Sequence, residues 1–148
     1  MVTSIALLAA VGFLYFRNRD DSSEPTPPTP VPGHNQAIDV LEAFRAENLE
    51  AKFGEQGTDV RSAILERPGQ KVDLSSGDAY IFIYPDVASQ EQATLDVTSD
   101  DIDLTDVSGD PVDVNEIDLF TGSNVAIVLV DSNQVTRDRV RSAVADLK

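Results

Sequence analysis

The chain has 148 residues, 41% of them hydrophobic, and its 26 acidic against 11 basic residues give a net charge of −15. Nucleic acids and anionic lipid surfaces are bound through Lys and Arg, so a protein this acidic is expected to bind neither. The chain has no cysteine, which excludes disulfides, thiolate metal sites, a thiol nucleophile and a lipidated N-terminal cysteine. The length favours one folded domain.

Residues 1–19 are predicted to be a membrane anchor. No charged side chain occurs from Met1 to Phe16, and a helix over this stretch would be about 24 Å long, short for a hydrocarbon core of roughly 30 Å. Arg17 and Arg19 follow it and can reach the polar interface. A cleaved signal peptide is the alternative, although the stretch has neither a basic start nor a small-x-small cleavage site.

The anchor is expected to be a single-pass helix that contacts an integral membrane protein. A helix this short is better accommodated against other transmembrane helices than alone in lipid, and the candidate contacts are Leu7, Leu8 and Phe13. Arg17 and Arg19 would place the domain in the cytoplasm by the positive-inside rule. The Pro/Thr-rich segment that follows and the missing cysteines fit an exported domain, and the extracytoplasmic side is the one we expect.

A proline-rich stalk is predicted at residues 20–34. Five of the eight prolines lie between Pro25 and Pro32, and proline fixes φ and lacks an N–H donor, so this run favours polyproline II. Twelve residues at ~3.1 Å each give a spacer about 37 Å long, which would hold the domain clear of the lipid headgroups. A PxxP ligand for an aromatic groove is the alternative interpretation.

Residues 35–148 are predicted to fold as one acidic domain that begins with an amphipathic helix. This helix is expected from Ala37 to Phe53, with Asn35 as its N-cap and an apolar face formed by Ile38, Leu41 and Phe44. A glycine directly after Phe53 is a typical helix end.

The rest of the domain alternates between strand and helix patterns. Ala79–Tyr84 is the strongest strand, and its large apolar residues on both faces predict a central position covered on both sides. Turn sequences at 75–78 and 121–124 predict two hairpins, each followed by a helix. The other expected elements are strands at 60–65, 71–74, 116–120 and 124–130, and helices at 86–97 and after residue 132. The class is α+β, an antiparallel or mixed sheet of about five strands with three helices, preceded by one transmembrane helix.

One run of motifs resembles a known group of domains. Pro68-Gly69, the strand Ala79–Tyr84 followed by Pro85-Asp86 and an Ala/Gln-rich helix, and then a hairpin and a closing helix are similar to small bacterial envelope domains of the lipoprotein type. The resemblance covers roughly residues 41–147. It implies an α+β domain behind an N-terminal anchor, with no assigned activity and no site residues to carry over. This chain lacks the group's lipobox cysteine, so its anchoring must differ.

The sequence shows no catalytic constellation. The only histidine, His34, lies between the stalk and the first helix and is expected to be exposed to solvent, not to act as a catalytic base. No glycine-rich phosphate loop is present, and one histidine without cysteine leaves zinc and redox metals without ligands. We therefore expect neither an enzyme nor a cofactor.

Residues 96–118, which we call the acidic segment, are the remaining candidate site. Nine of these 23 residues are Asp or Glu, and calcium takes six to eight oxygen ligands. The candidate ligands are Asp100, Asp101, Asp103 and Asp106. An EF-hand register that starts at Asp101 fails, because it places Asp106 where glycine is required and Val112 where glutamate is required. A solvated loop without a bound ion is the simpler interpretation.

Arg137 and Arg141 lie one turn apart on the last predicted helix, whose apolar face is expected to consist of Val140, Ala143, Val144 and Leu147. The two arginines could contact an acidic partner, or they could pair with the domain's own aspartates. Two functions remain open. The first is a non-catalytic accessory subunit of a larger membrane complex. The second is a free-standing envelope module that binds a ligand or divalent cations through the acidic segment.

Overall fold

The computed structural model describes residues 31–148. The predicted anchor with Leu7, Leu8 and Phe13, and most of the predicted stalk, lie outside these residues. Within them, every helix is too short or too polar to cross a membrane.

The described residues form three α-helices and seven strands. In chain order these are α1 (Ala37–Ala46), β1 (Ala51–Phe53), β2 (Val60–Arg61), β3 (Pro68–Leu74), β4 (Asp78–Ile83), α2 (Val87–Ala93), a 3₁₀ helix (Ser99–Asp101), β5 (Thr105–Asp106), β6 (Ile117–Gly122), β7 (Val125–Val130) and α3 (Gln134–Ala145).

All strands belong to one antiparallel sheet in the order β5-β2-β3-β4-β7-β6, and β1 also pairs with β3. The predicted α+β class and the two predicted hairpins, β3–β4 and β6–β7, are confirmed. The predicted number of about five strands is too low for the described domain. The two strands that were missed are β1, which was assigned to the first helix, and β5, which lies in the acidic segment.

The first helix is shorter than predicted because the chain turns sharply after Ala46. Asn48 adopts a left-handed conformation with φ 59°, and three residues later Ala51 pairs with Leu74 in the sheet. The N-cap is Gln36, not Asn35. Val40, Leu41 and Phe44 are buried, whereas Ile38 is 44% exposed, so the buried face of α1 is rotated from the predicted one.

The sheet has an apolar core on each face. On one face, α1 and α3 pack against inward residues of the central strands, including Val72, Ile81 and Ile127. On the other face, Phe82 and Val128 lie under α2 and the acidic segment. Every residue of β7 is buried, and Ala79 to Phe82 of β4 are buried as well. The predicted central position of the Ala79–Tyr84 strand is therefore confirmed.

The acidic segment is a cover for the second face of the sheet and not a fully solvated loop. Ile102 and Leu104 are only 8% and 5% exposed, and they join the cluster around Phe82. Val112 and Val114 pack against the same cluster. Apolar residues that alternate with aspartates point towards the sheet, and the aspartates remain at the surface.

The two later helices, unlike the first, begin and end within a few residues of their predicted limits. α2 ends at Ala93, short of the predicted residue 97, and Asp96 then adopts a positive φ of 62°. α3 starts at Gln134, with Asn133 as an N-cap that accepts a hydrogen bond from Thr136 N. The predicted apolar face of this helix is confirmed, since Val140, Ala143 and Val144 are buried and Leu147 is partly buried against them.

Candidate functional site

Two of the four candidate cation ligands hold the backbone of the acidic segment. Asp101 Oδ2 accepts hydrogen bonds from the main-chain nitrogen of Thr98 at 2.8 Å and from its hydroxyl at 2.7 Å. These hydrogen bonds lower the pKa of Asp101. Asp106 Oδ1 accepts from the main-chain nitrogens of Ser108 and Asp110 at 2.8 and 3.0 Å. Both carboxylates thus stabilise turns of their own segment.

The other two candidates do not complete a cation site with them. Asp103 Oδ1 accepts a hydrogen bond from the hydroxyl of Ser62 at 3.3 Å, which ties the acidic segment to the loop after β2. Asp100 is exposed. In the part of the chain that the structure describes, no three Asp, Glu or His side chains come together in a group that could hold a metal ion.

The two candidate arginines on α3 form ion pairs within the domain. Arg137 pairs with Glu116 and has Nε 2.7 Å from Asp118 Oδ2, at the edge strand β6. Arg141 pairs with Asp138 at 2.8 Å, and its guanidinium lies 5.6 Å from the centroid of the Phe120 ring. An acidic partner at this face would have to compete with carboxylates that are already in place.

The structure reveals a tightly bonded junction where the chain enters the domain. We call residues 33–35 the stalk junction. Gly33 N donates to the main-chain oxygen of Lys148 at 2.8 Å, so the entering chain lies beside the end of the domain. His34 is exposed, as predicted, and its Nδ1 donates to the main-chain oxygen of Pro85 at 2.9 Å.

A buried pair of asparagines holds the stalk junction to the rest of the domain: Asn35 of the junction, and Asn124 between β6 and β7. Asn35 and Asn124 are only 5% and 1% exposed. Asn124 Oδ1 accepts from Asn35 N and Nδ2 at 2.7 and 3.2 Å, and Asn124 Nδ2 donates to the main-chain oxygens of Asn35 and Tyr84 at 3.0 and 2.9 Å. Asn35 Nδ2 is also 2.8 Å from both Ser123 Oγ and the main-chain oxygen of Lys148. Such a satisfied buried network fixes the position of the entering chain.

A second feature is a groove between α2 and the loop that joins β2 to β3. It consists of two adjoining cavities that share Glu66 and Arg67, and we call it the arginine cleft. The larger cavity, about 480 Å³, is lined by Ile64, Glu66, Arg67, Tyr84, Ser89, Gln92 and Ala93. The smaller cavity, about 330 Å³, is lined by Arg61, Ser62, Glu66, Arg67 and Pro68.

The loop that forms the arginine cleft is held by buried contacts. Leu65 is fully buried and its main-chain nitrogen donates to Ser62 Oγ at 3.3 Å. The Tyr84 hydroxyl donates to the main-chain oxygen of Leu65 at 2.9 Å. Burial raises the pKa of Tyr84 to about 12, so the hydroxyl stays protonated as a donor at neutral pH. The Arg67 guanidinium lies over the Tyr84 ring, 5.9 Å from its centroid.

Arg61 and Arg67 differ from most basic residues of the domain in their partners. Within the described residues, neither guanidinium forms an ion pair or a hydrogen bond with the protein. Six other basic side chains do contact a carboxylate or a main-chain oxygen: Arg45, Lys52, Lys71, Arg137, Arg139 and Arg141. The cleft is therefore a local positive site on a strongly acidic domain.

Comparisons with known proteins give no relative from which a function could be taken. A scan against protein-family models, a search of curated proteins and a search of solved structures each found no match to the chain. The resemblance to envelope lipoprotein-type domains stays a prediction.

Sequence reasoning missed both the stalk junction and the arginine cleft. The position of Asn35 before a helix predicts an N-cap, and an asparagine in a tight turn, such as Asn124, gives no signal that it is buried. Arg61 and Arg67 lie on either side of an irregular loop, so no helical or strand period relates them. Arg137 and Arg141, by contrast, are one turn apart on a predicted helix, which is a pattern visible in the sequence.

Proposed function

We propose that this chain is a non-catalytic accessory subunit of a larger membrane protein complex. In this proposal residues 1–19 are a single-pass anchor that packs against an integral membrane protein, and residues 20–34 are a stalk. The domain of residues 35–148 docks on the extracytoplasmic face of the complex. The observation that supports the proposal best is the stalk junction with its buried Asn35–Asn124 pair.

A fixed junction is useful to a domain that must meet a partner in one orientation. In this proposal the stalk is polyproline, which is stiff, and the chain is bonded to the domain from Gly33 onwards. The domain would then have limited freedom to rotate about its tether. Restricting orientation before contact lowers the entropy lost on docking, and tethering raises the effective concentration of the domain near its partner. A domain that only needed to remain near a membrane would need no such junction.

The non-catalytic part of the proposal rests on the sequence. The chain has one histidine and no cysteine, and His34 donates its ring N–H to a main-chain oxygen at the stalk junction. The alternative function, a free-standing module that binds cations through the acidic segment, has less support. The carboxylates of Asp101 and Asp106 already accept two hydrogen bonds each from their own turns.

Purification from native membranes tests the proposal. The full chain, with an affinity tag after Lys148, is extracted in mild detergent and analysed by size exclusion and mass spectrometry. We expect a defined complex in which the chain is stoichiometric with at least one integral membrane protein. A chain without residues 1–19 should not recover that complex. If the full chain elutes as a monomer in mild detergent, the accessory-subunit proposal is wrong.

A further inference from the structure

We propose that the arginine cleft binds a carboxylate-bearing peptide segment of the partner protein. The inference rests on the proposed function for the existence of a partner, and on the geometry of the cleft for the chemistry of the bound segment. It places the docking surface between α2 and the β2–β3 loop, away from Arg137 and Arg141.

The first and last strands in the sheet order, β5 and β6, are poorly suited to docking by strand addition, which needs a row of unpaired main-chain groups. At one end, the main-chain nitrogen of Leu119 in β6 already donates to Ser99 Oγ at 3.1 Å. At the other end, β5 is two residues long and Thr105 forms a bridge with Pro111. A partner segment is therefore more readily recognised by side chains in a groove.

The charges of the cleft favour a carboxylate. Arg61 and Arg67 line the same cavity, and a guanidinium can bind a carboxylate through two parallel hydrogen bonds. The contact between Arg67 and the Tyr84 ring orients this guanidinium before a ligand arrives. Glu66 is the one carboxylate in the lining, and it is exposed. Because the lining also contains two arginines, its net charge is positive.

The shape of the cleft favours a peptide over a small anion. The two cavities, of about 480 and 330 Å³, each fall within the size range of ligand sites, roughly 300–1,000 Å³. Ile64 is 41% exposed and lines the larger cavity together with Ala93. A free anion at the arginines would leave this apolar part unfilled, whereas a peptide can place an acidic side chain at the arginines and an apolar side chain at Ile64 and Ala93.

Peptide titration followed by NMR tests the inference. The ¹⁵N-labelled full chain in mild detergent is titrated with acetyl-Leu-Ala-Glu-Ala-amide and, separately, with the Gln analogue of this peptide. We expect the Glu peptide to shift the amide signals of Glu66, Arg67 and Ala93, with an affinity at least five-fold above that of the Gln peptide. Inorganic phosphate serves as the small-anion control and should bind more weakly than the Glu peptide.

Three substitutions locate the binding site. Arg61→Gln and Arg67→Gln should each lower the affinity for the Glu peptide at least three-fold. Arg67→Lys keeps the charge but loses the planar fork, and it should give an intermediate loss. The matched control is Arg141→Gln on α3, which should leave the affinity unchanged. Far-UV circular dichroism verifies that each variant is folded, and Arg67→Lys decides the result if Arg67→Gln does not fold.

The outcomes separate this inference from the proposed function. Equal affinities for the two peptides, no shifts at the cleft, or stronger binding of phosphate than of the Glu peptide would each overturn peptide recognition. If the chain nevertheless purifies with a complex, the accessory-subunit proposal stands and only the docking surface is wrong. If the Glu peptide binds as expected but the chain purifies as a monomer, peptide recognition stands and the accessory role is wrong.

Discussion

The Asn35–Asn124 pair gives the sharpest test of the stalk junction. The substitution Asn124→Ala removes four side-chain hydrogen bonds, two accepted from Asn35 and two donated to the main-chain oxygens of Asn35 and Tyr84. Asn124 is only 1% exposed, so water cannot easily replace these bonds. At about 1 kcal/mol net for each bond, we expect the free energy of unfolding to fall by about 4 kcal/mol.

A loss of this size is large for a small domain. Typical domains are stable by only about 5–15 kcal/mol, so the variant should unfold at a clearly lower urea concentration. Urea unfolding of the full chain in mild detergent, followed by far-UV circular dichroism, measures the change by linear extrapolation. Asn115→Ala is the matched control. Residue 115 is exposed, and the change should cost less than about 0.5 kcal/mol.

A second variant separates hydrogen bonding from packing. Asn124→Asp has nearly the same shape but, as a carboxylate, cannot donate to the main-chain oxygens of Asn35 and Tyr84. It should therefore destabilise the domain at neutral pH at least as much as Asn124→Ala does. Two results would refute the assignment of the pair as the contact that fixes the entering chain to the domain. One is a near-native stability of Asn124→Asp, and the other is a fall of less than about 1 kcal/mol in the unfolding free energy of Asn124→Ala.

Three further predictions concern the stability of the domain. Gly69→Ala should destabilise the domain by about 2 kcal/mol or more in urea unfolding, because its Cβ would lie 2.5–2.9 Å from ring atoms of the buried Phe82; an unchanged urea midpoint would contradict this. Ser99→Ala leaves the partly buried Leu119 N–H without its acceptor and should cost about 1 kcal/mol, seen as a drop of roughly 4 °C in Tm; no drop would mean that water replaces the hydroxyl. The folded-state pKa of Tyr84, about 12, is above its ordinary value of 10.0, so its contribution to stability is complete below pH 10 and is lost as the pH rises towards 12. Tyr84→Phe should therefore reduce the alkaline loss of stability measured by urea unfolding, and a loss equal to that of the wild type would contradict the shift.

The central part of the sheet could be predicted because its residues satisfy several rules at once. The strands β4 and β7 are continuous apolar runs, rich in β-branched and aromatic residues, and each follows a turn sequence. Local propensity, burial and turn chemistry therefore agree there. The shorter strands follow no such agreement. β1 has three residues, continues directly from a helical pattern and is defined by its pairing with β3.

The cover formed by the acidic segment had a signal in the sequence that its charge obscured. Ile102 and Leu104 alternate with Asp101 and Asp103, and alternation with a period of two is typical of an extended chain with one buried side. The count of carboxylates favoured a solvated loop, with a cation site as the alternative. In the structure the aspartates form the solvent side of an apolar layer, and two of them, Asp101 and Asp106, hold turns.

The stalk junction and the arginine cleft depend on contacts that no local pattern encodes. Asn35 and Asn124 are 89 residues apart in the chain, and each has an ordinary local interpretation as a cap or turn residue. Arg67 becomes distinctive only when the loop places it over Tyr84, which follows the neighbouring strand β4 of the same hairpin. Tertiary contacts of this kind follow from the fold and cannot be read before it.

The balance of charge gives the two arginines of the cleft their significance. In a chain with 26 acidic and 11 basic residues, an aspartate at the surface carries little information, since most surface positions could hold one. Basic side chains are scarce, and an acidic surface offers each of them many partners. Within the described residues four basic side chains are paired with carboxylates, as Arg137 is with Glu116 and Lys71 is with Asp78. Two arginines that line one cavity without such a partner are therefore the stronger indication of a binding surface, and the anion they select would come from another molecule.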